Sequence, residues 1–167
     1  MIIRDASEAD LPSILEIYND AVVNTDAIWN EKTVDIENRR KWLKSHADAG
    51  LPIIVAVDDD GILCGYASLS EWRPFEGYRH TVENSVYVNK HKRGKGTGRI
   101  LMQELIKRAS ELNMHAIVAG IEAENAASIK LHEQLGFKTA GKLDEVGIKH
   151  GRWLDLVFMV LLLKNED

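Results

Sequence analysis

Glu83 is the one charged residue in the run T-V-E-N-S-V-Y-V (81–88), and the stretch that follows, N-K-H-K-R-G-K-G-T-G-R (89–99), is basic and glycine-rich. A carboxylate carried in the middle of an apolar strand is withdrawn from water on folding. Withdrawal raises its pKa toward the range in which it can take a proton from a reacting group. In the second stretch Gly94, Gly96 and Gly98 let the backbone curl inward. Its amide N–H groups, and the positive end of a helix opening just after, can then converge on a diphosphate. Lys92, Arg93, Lys95 and Arg99 place cations around that point.

Two familiar phosphate loops do not fit. A P-loop ends in Gly-Lys-Ser/Thr, and here Lys95 is followed by Gly96. The dinucleotide fingerprint G-x-G-x-x-G fails because these glycines fall at every second position and no acidic ribose ligand follows in a βαβ unit. The triple aspartate Asp58-Asp59-Asp60 lacks the remaining positions of a calcium loop and reads as a solvated hairpin turn.

The elements that must carry these residues alternate between strand and helix. A short strand over 1–4 precedes a helix capped at Ser7 and running to about 22, with Leu11, Ile14, Leu15, Tyr18 and Val22 on one stripe. A helix over 35–47 ends near Gly50, and strands follow over 51–57 and 62–70. Next come a strand over 80–88, a helix over 97–112, a strand over 115–121 and a helix started by Asn125 and stopped by Gly136. Strands over 137–143 and 153–163 close the chain. The order is β-α-α-β-β-β-α-β-α-β-β, an α/β class with a mixed sheet.

With 167 residues and 45% hydrophobic content, one domain spanning 1–167 is expected, with a core that needs no disulfide or metal. The net charge of −5 argues against nucleic-acid binding, where a basic face would be needed; the positive charge is local, concentrated at 90–99. Cys64 stands alone in an apolar strand, which suits a core residue in a reducing cytoplasm. The longest apolar run, eight residues at 156–163, is too short to span a bilayer, so no membrane partner is expected.

Arg93-x-x-Gly96-x-Gly98, between a strand and a helix, resembles the coenzyme A pyrophosphate loop of the GCN5-related N-acetyltransferases (GNAT), whose pattern is Gln/Arg-x-x-Gly-x-Gly/Ala. Four further stretches are more specific: I-Y-N (17–19), T-V-E-N-S-V-Y-V (81–88), L-H-E-Q-L-G-F (131–137) and G-I-K-H-G-R-W (147–153). Together they are similar to the phosphinothricin and methionine sulfoximine N-acetyltransferases, also described as L-amino acid N-acyltransferases. The resemblance implies the GNAT fold, acetyl-CoA as co-substrate with no metal, and acetyl transfer to the α-amine of a small amino acid. The acceptors it favours are methionine sulfoximine, methionine sulfone and methionine, with phosphinothricin also open. It further implies a cytoplasmic homodimer.

Residue by residue, the resemblance makes Glu83 the base, and His132 a second titratable group that orients the coenzyme, relays protons or packs its helix. For the coenzyme it implies the backbone of Val86, Tyr87 and Val88, the loop Arg93, Gly94, Lys95, Gly96, Thr97, Gly98 and Arg99, and Asn125 and Gln134. Asn125 also reads as a plain helix cap. The acceptor is expected at the loop 71–79, through Arg73, Pro74, Phe75, Glu76, Tyr78 and Arg79, with Asn84 on the strand. Arg73 or Arg79 would take the amino-acid carboxylate as a bidentate partner. Trp29 and the hairpin at 149–153 are candidates to close the pocket, from the same or a partner subunit. One departure bears on selectivity: Arg73 and Phe75 stand where the herbicide-resistance enzymes carry a Lys and an Arg, so a clamp for a phosphinate is weakened and neutral side-chain ends are favoured. Acetylation of another amine, such as a protein N-terminus or a polyamine, and a non-catalytic coenzyme A sensor are the alternatives at this point.

Overall fold

Local signals set most of the boundaries in the computed structural model, which describes residues 1–163. Asp35 accepts from the Asn38 N–H at 2.9 Å and starts α2 (Ile36–Ala49), and Gly50, at φ 67°, ends it in a left-handed turn. Asn125 accepts from the Ser128 N–H at 3.1 Å and starts α4 (Ala126–Gln134). At the front of α1 (Leu11–Asn24) the stretch S-E-A-D (7–10) forms the expected cap, with Ser7 and Asp10 as the two members of a capping box. Arg4 grips both oxygens of Asp10 at 2.8 Å, and Asp10 in turn accepts from the Ser7 N–H and hydroxyl, so residues Glu8–Asp10 form a tight turn before the helix begins.

The remaining elements are β1 (Ile2–Asp5), β2 (Ile53–Val57), β3 (Leu63–Glu71), β4 (Thr81–Val88), α3 (Thr97–Glu111), β5 (Ala116–Glu122), β6 (Lys138–Lys149) and β7 (Arg152–Leu162), in the expected order. They build one seven-stranded sheet, β1-β2-β3-β4-β5-β7-β6, antiparallel except for the β4–β5 pair. Helices α1 and α2 cover one face over Leu11, Ile14, Ile17, Val55, Leu63 and Tyr66. Helices α3 and α4 cover the other over Ile54, Leu69, Leu101, Met102, Leu105, Ile117 and Met159. Burial of such side chains is the main stabilising term. Cys64 lies in that second core, its thiol facing Asp58.

Strand β6 is longer than its sequence suggests. The sequence reading ends this strand at 143, but it continues through an irregularity between Leu143 and Gly147, with Glu145 at φ 52°. Asp155 on β7 stabilises that bulge by accepting the Glu145 N–H at 2.8 Å and pairing with Lys142 at 2.8 Å.

The feature that positions the site is a parting of the sheet. Strands β4 and β5 pair at only three positions, Thr81 with Ala116, Val82 with Ile117 and Glu83 with Val118. Beyond Glu83 the two strands diverge, while β4 keeps its ladder to β3 through Val88 and β5 keeps its ladder to β7 through Glu122. The gap opens at the carboxyl ends of the two parallel strands, where open α/β sheets hold ligands.

Candidate active site

Two connected facts of strand geometry furnish the gap. Asn89 donates to the Cys64 carbonyl at 2.9 Å, which fixes which β4 residues exchange hydrogen bonds with β3: Glu83, Ser85 and Tyr87 do, and their neighbours do not. The N–H groups of Val86 and Val88 therefore point away from β3 into the gap, where β5 no longer meets them. Tyr87, expected to offer its amide, has that amide paired to β3; its ring instead packs 5.3 Å from Tyr66, and burial holds its hydroxyl pKa up to about 12.

Side chains alternate across the sheet in the same stretch. Val82, Asn84, Val86 and Val88 face α3 and α4, and Glu83, Ser85 and Tyr87 face α1. The Glu83 carboxylate lies over β5 where Gly120 leaves room for it, and burial raises its pKa, opposed by the positive charge of Arg73.

A groove of about 1040 Å³ runs from the gap to the start of α3. Its walls include Val86, Tyr87 and Val88 of β4, the turn with Arg93, Gly94, Gly96, Thr97, Gly98 and Arg99, and Asn125, Lys130 and Gln134 along α4. Gly94 and Gly96 adopt φ 76° and 80°, so the turn needs glycine there, whereas Gly98 is already helical. The first amides of α3 have no side-chain cap and open into the groove. Among the described residues Arg93, Lys95 and Arg99 make no ion pair, which leaves them for a phosphate. Lys92, read as a fourth such cation, is corrected: it pairs with Asp58 at 2.7 Å, and Lys90 pairs with Asp20 at 2.9 Å, so both anchor the turn instead.

A smaller cavity of about 210 Å³ joins the groove at the gap, bounded by Ala27, Glu83, Asn84, Ser85, Gly120, Glu122 and His132 among others. Two of the three buried side-chain polar atoms left without a partner among the described residues, Asn84 Oδ1 and Thr97 Oγ1, belong to residues lining these two spaces. Unpaired buried polar atoms at the edge of an open groove fit a polar occupant. A third hollow of about 400 Å³ lies away from this region between α2, β2 and the end of α3. Its arginine, Arg108, is already paired with Asp5 and Glu104.

The structure does not bring all expected residues together. His132 is buried, its Nδ1–H donates to the Ser128 carbonyl at 2.8 Å, and its Nε2 accepts from Asn84 Nδ2 at 2.9 Å. Burial lowers its pKa, and with both nitrogens engaged it is a neutral packing residue, edge-on to Phe137, with no free site for proton relay. Asn84, expected beside the acceptor, does line the small cavity, and its Nδ2 also fixes this ring.

Arg73, in the loop after β3, is exposed and lines neither space, though its charge lowers the Glu83 pKa. Its guanidinium stacks on Trp72 at 4.8 Å, and Trp72 meets Phe158 edge-on at 5.4 Å. Arg79 folds back to the Glu76 carbonyl at 3.0 Å, and Pro74, Phe75, Glu76 and Tyr78 are exposed and line neither space. Sequence reasoning overlooked Glu122, a buried carboxylate lining both spaces, whose Oε2 accepts the Glu124 N–H at 3.0 Å. Its signal was the alternation on β5 that puts Gly120 and Glu122 on one face. Trp29 does not reach the cavity; it packs on Gly147, where any Cβ would collide with its ring.

Comparison with known proteins places this geometry. The family model described as acetyltransferase (GNAT) domain matches residues 3–158. An L-methionine sulfoximine/L-methionine sulfone acetyltransferase of Pseudomonas aeruginosa is 58% identical over 161 residues, covering 96% of this chain and 94% of that protein. The crystal structure titled ribosomal-protein-alanine N-acetyltransferase from Brucella melitensis superimposes with a TM-score of 0.96 at 55% identity, over 98% of this chain and 100% of that one. A Salmonella typhimurium structure, described as yncA, a putative acetyltransferase with its cofactor acetyl-CoA, gives a TM-score of 0.96 at 49% identity, over 100% of this chain and 96% of that one. On the match of the family model and the likeness to these relatives, the chain belongs to the GNAT acetyltransferase family.

Proposed function

We propose that this chain, as a single N-acetyltransferase domain, transfers acetyl from acetyl-CoA to the α-amine of a small amino acid, with methionine sulfoximine and methionine sulfone the preferred acceptors. The observation that carries the reading is the position of the Glu83 carboxylate against Gly120, at the point where β4 and β5 part and the amides of Val86 and Val88 turn into the gap. The diphosphate sits on the turn 93–99 and the first amides of α3, held by Arg93, Lys95 and Arg99. The pantetheine arm follows the groove between β4 and α4, past Asn125 and Gln134.

The acceptor enters the smaller cavity as an ammonium, and Arg73 takes its carboxylate. Glu83 accepts one ammonium proton, directly or through one water, and the freed amine attacks the thioester carbonyl. A C–N bond forms, the carbonyl becomes an oxyanion facing the amides of Val86 and Val88, and collapse breaks the C–S bond; the departing coenzyme A thiolate takes the second proton that the newly acylated nitrogen loses, leaving the neutral amide. Glu122 adds negative charge to the wall facing the cationic nitrogen. Arg73 alone leaves no second cation for a phosphinate, which supports a neutral side-chain end.

The same reading includes a homodimer in the cytoplasm. Ile148 and Trp153, cross-strand neighbours on β6 and β7, are 51% and 63% exposed, and Phe75 is 68% exposed, a surface suited to a second copy. Among the described residues no helix is long and apolar enough to cross a membrane.

The deciding experiment is thiol release from acetyl-CoA with methionine sulfoximine, methionine sulfone, methionine, phosphinothricin, a polyamine and a peptide with an N-terminal alanine. The reading expects kcat/KM for the sulfone or sulfoximine to exceed that for phosphinothricin by about 10-fold or more. A preference for phosphinothricin, the polyamine or the peptide overturns the assigned acceptor, and no thiol release with any amine overturns the reaction. Light scattering on the eluted protein tests the dimer.

A further inference from the structure

The base of the β6–β7 hairpin holds a cation where none is expected. Lys149 is 1% exposed, and its ammonium donates to three backbone carbonyls, Val22 at 2.7 Å, Thr25 at 2.6 Å and Ile28 at 2.6 Å. Val22 lies in the last turn of α1 and Thr25 caps it, so the ammonium meets carbonyls that have no helical partner, at the negative end of the helix dipole. Three short charge-assisted bonds from one ammonium use all of its donors.

The same hairpin grips the same loop at three more points. The ring of Trp29 packs against Gly147, Glu31 accepts the His150 N–H, and Arg152 approaches Asp26 at 3.5 Å. The segment 25–31 is therefore fastened to a hairpin more than a hundred positions further along the chain. That segment is also a wall of the site: Thr25, Asp26 and Ala27 line the large groove, and Ala27 lines the small cavity beside Glu83.

We propose that Lys149 is a positioning residue for acetyl transfer, holding the wall at residues 25–28 against the acceptor cavity so that acceptor binding depends on its ammonium. Lys149 touches neither reactant. It acts through the carbonyls on either side of Ala27, and its removal frees the wall at the acceptor end while the diphosphate turn, fixed by Asp20 and Asp58, stays in place. The inference rests on the acceptor assignment above, and its test separates the two.

Lys149→Met removes the charge at similar length, and Lys149→Arg restores a cation. The expected result for Lys149→Met is an acceptor KM raised about 10-fold or more, with acetyl-CoA KM within about 3-fold and kcat changed less than KM. Amide hydrogen exchange at 25–31 should quicken by about 10-fold or more while β2 and β3 hold their protection. Lys149→Arg should recover part of the acceptor affinity. A folded Lys149→Met with wild-type acceptor KM overturns the proposal, as does a rise in both KM values together. If Lys149→Met does not fold, the double variant Glu31→Gln/Arg152→Gln loosens the same loop from its exposed flank. An acceptor KM raised about 3-fold supports the proposal, and an unchanged KM with unchanged exchange overturns it. Absence of turnover in the wild-type chain instead counts against the acetyl-transfer reading, and the exchange measurement still reports on the Lys149 contact.

Discussion

Oε1 of Glu83 lies 3.3 Å from the point where a Cβ on Gly120 would stand, so the carboxylate occupies the space of a side chain that β5 does not have. Gly120→Ala makes the carboxylate give way by a few tenths of an ångström. The expected outcome is a kcat lower by about 10-fold with coenzyme affinity unchanged, measured by steady-state kinetics beside calorimetry with coenzyme A.

Glu83→Gln should lower kcat by about 10²-fold and remove the acidic limb of the pH–rate profile. The sign follows from burial, which raises the pKa of Glu83 above its ordinary 4.5. The working base is the ionised form, so wild-type activity falls as the pH drops through the raised value. Stability runs the opposite way. Ionising Glu83 opposes folding, a penalty absent below 4.5 and fully present above the raised value, so Glu83→Gln should melt no lower than wild type at pH 7. A lower melting temperature there would contradict the burial argument.

His132→Ala should lower stability by about 3 kcal/mol, because it opens a cavity and leaves the Asn84 amide without its acceptor. The pH–rate limb should keep the position set by Glu83. Burial lowers the His132 pKa below 6.5, so its contribution to stability is present above that value and lost as pH falls through it toward the folded-state value. Denaturant melts at two pH values check both statements.

Gly96→Val forces a branched side chain into φ 80° at the entrance to α3. Acetyl-CoA affinity should fall about 10-fold or more by calorimetry, with little change in acceptor KM once the donor is saturating. Lys92→Gln, which loses an anchor to Asp58 and no phosphate contact, should weaken coenzyme binding less.

Asp10→Asn tests the ion pair at the start of α1. Arg4 holds the Asp10 pKa down to about 2 from 3.8. The pair therefore stabilises the fold above 3.8, and the contribution is lost as pH falls toward 2. The variant should lose about 2 kcal/mol at pH 7 and show a flatter acid-unfolding profile.

The order of elements was legible because each has a local cause: Asp35 and Asn125 as caps, Gly50 and Gly136 as stops, alternation along 81–88. The turn at 93–99 was legible for the same reason, since its glycines and cations are contiguous. What the sequence hid was directional. Which β4 amides face the gap depends on the β3 register, so Val86 and Val88 could not be told from Tyr87. That neither His132 nitrogen is free depends on Asn84, nearly fifty positions away, and the fate of Lys92 depends on Asp58 in the turn between β2 and β3. Lys149 stood in a quoted motif, yet its contacts are carbonyls at the end of α1 and in the loop after it, and backbone acceptors leave no mark in composition. The length of β6 beyond 143 was missed because the bulge that carries it on is held by Asp155 of the neighbouring strand.

Two half-sheets, β1 to β4 and β5 to β7, are joined side by side through only three rungs, against seven between β3 and β4 and seven between β5 and β7. Counted in backbone rungs, that short seam is where the two plates are tied most weakly, and the clasp of the β6–β7 hairpin on residues 25–31 is a second tie between them. A molecule wedged between the plates braces them, so occupancy of the slit should be felt as rigidity at the far rims of both, well beyond any atom it touches.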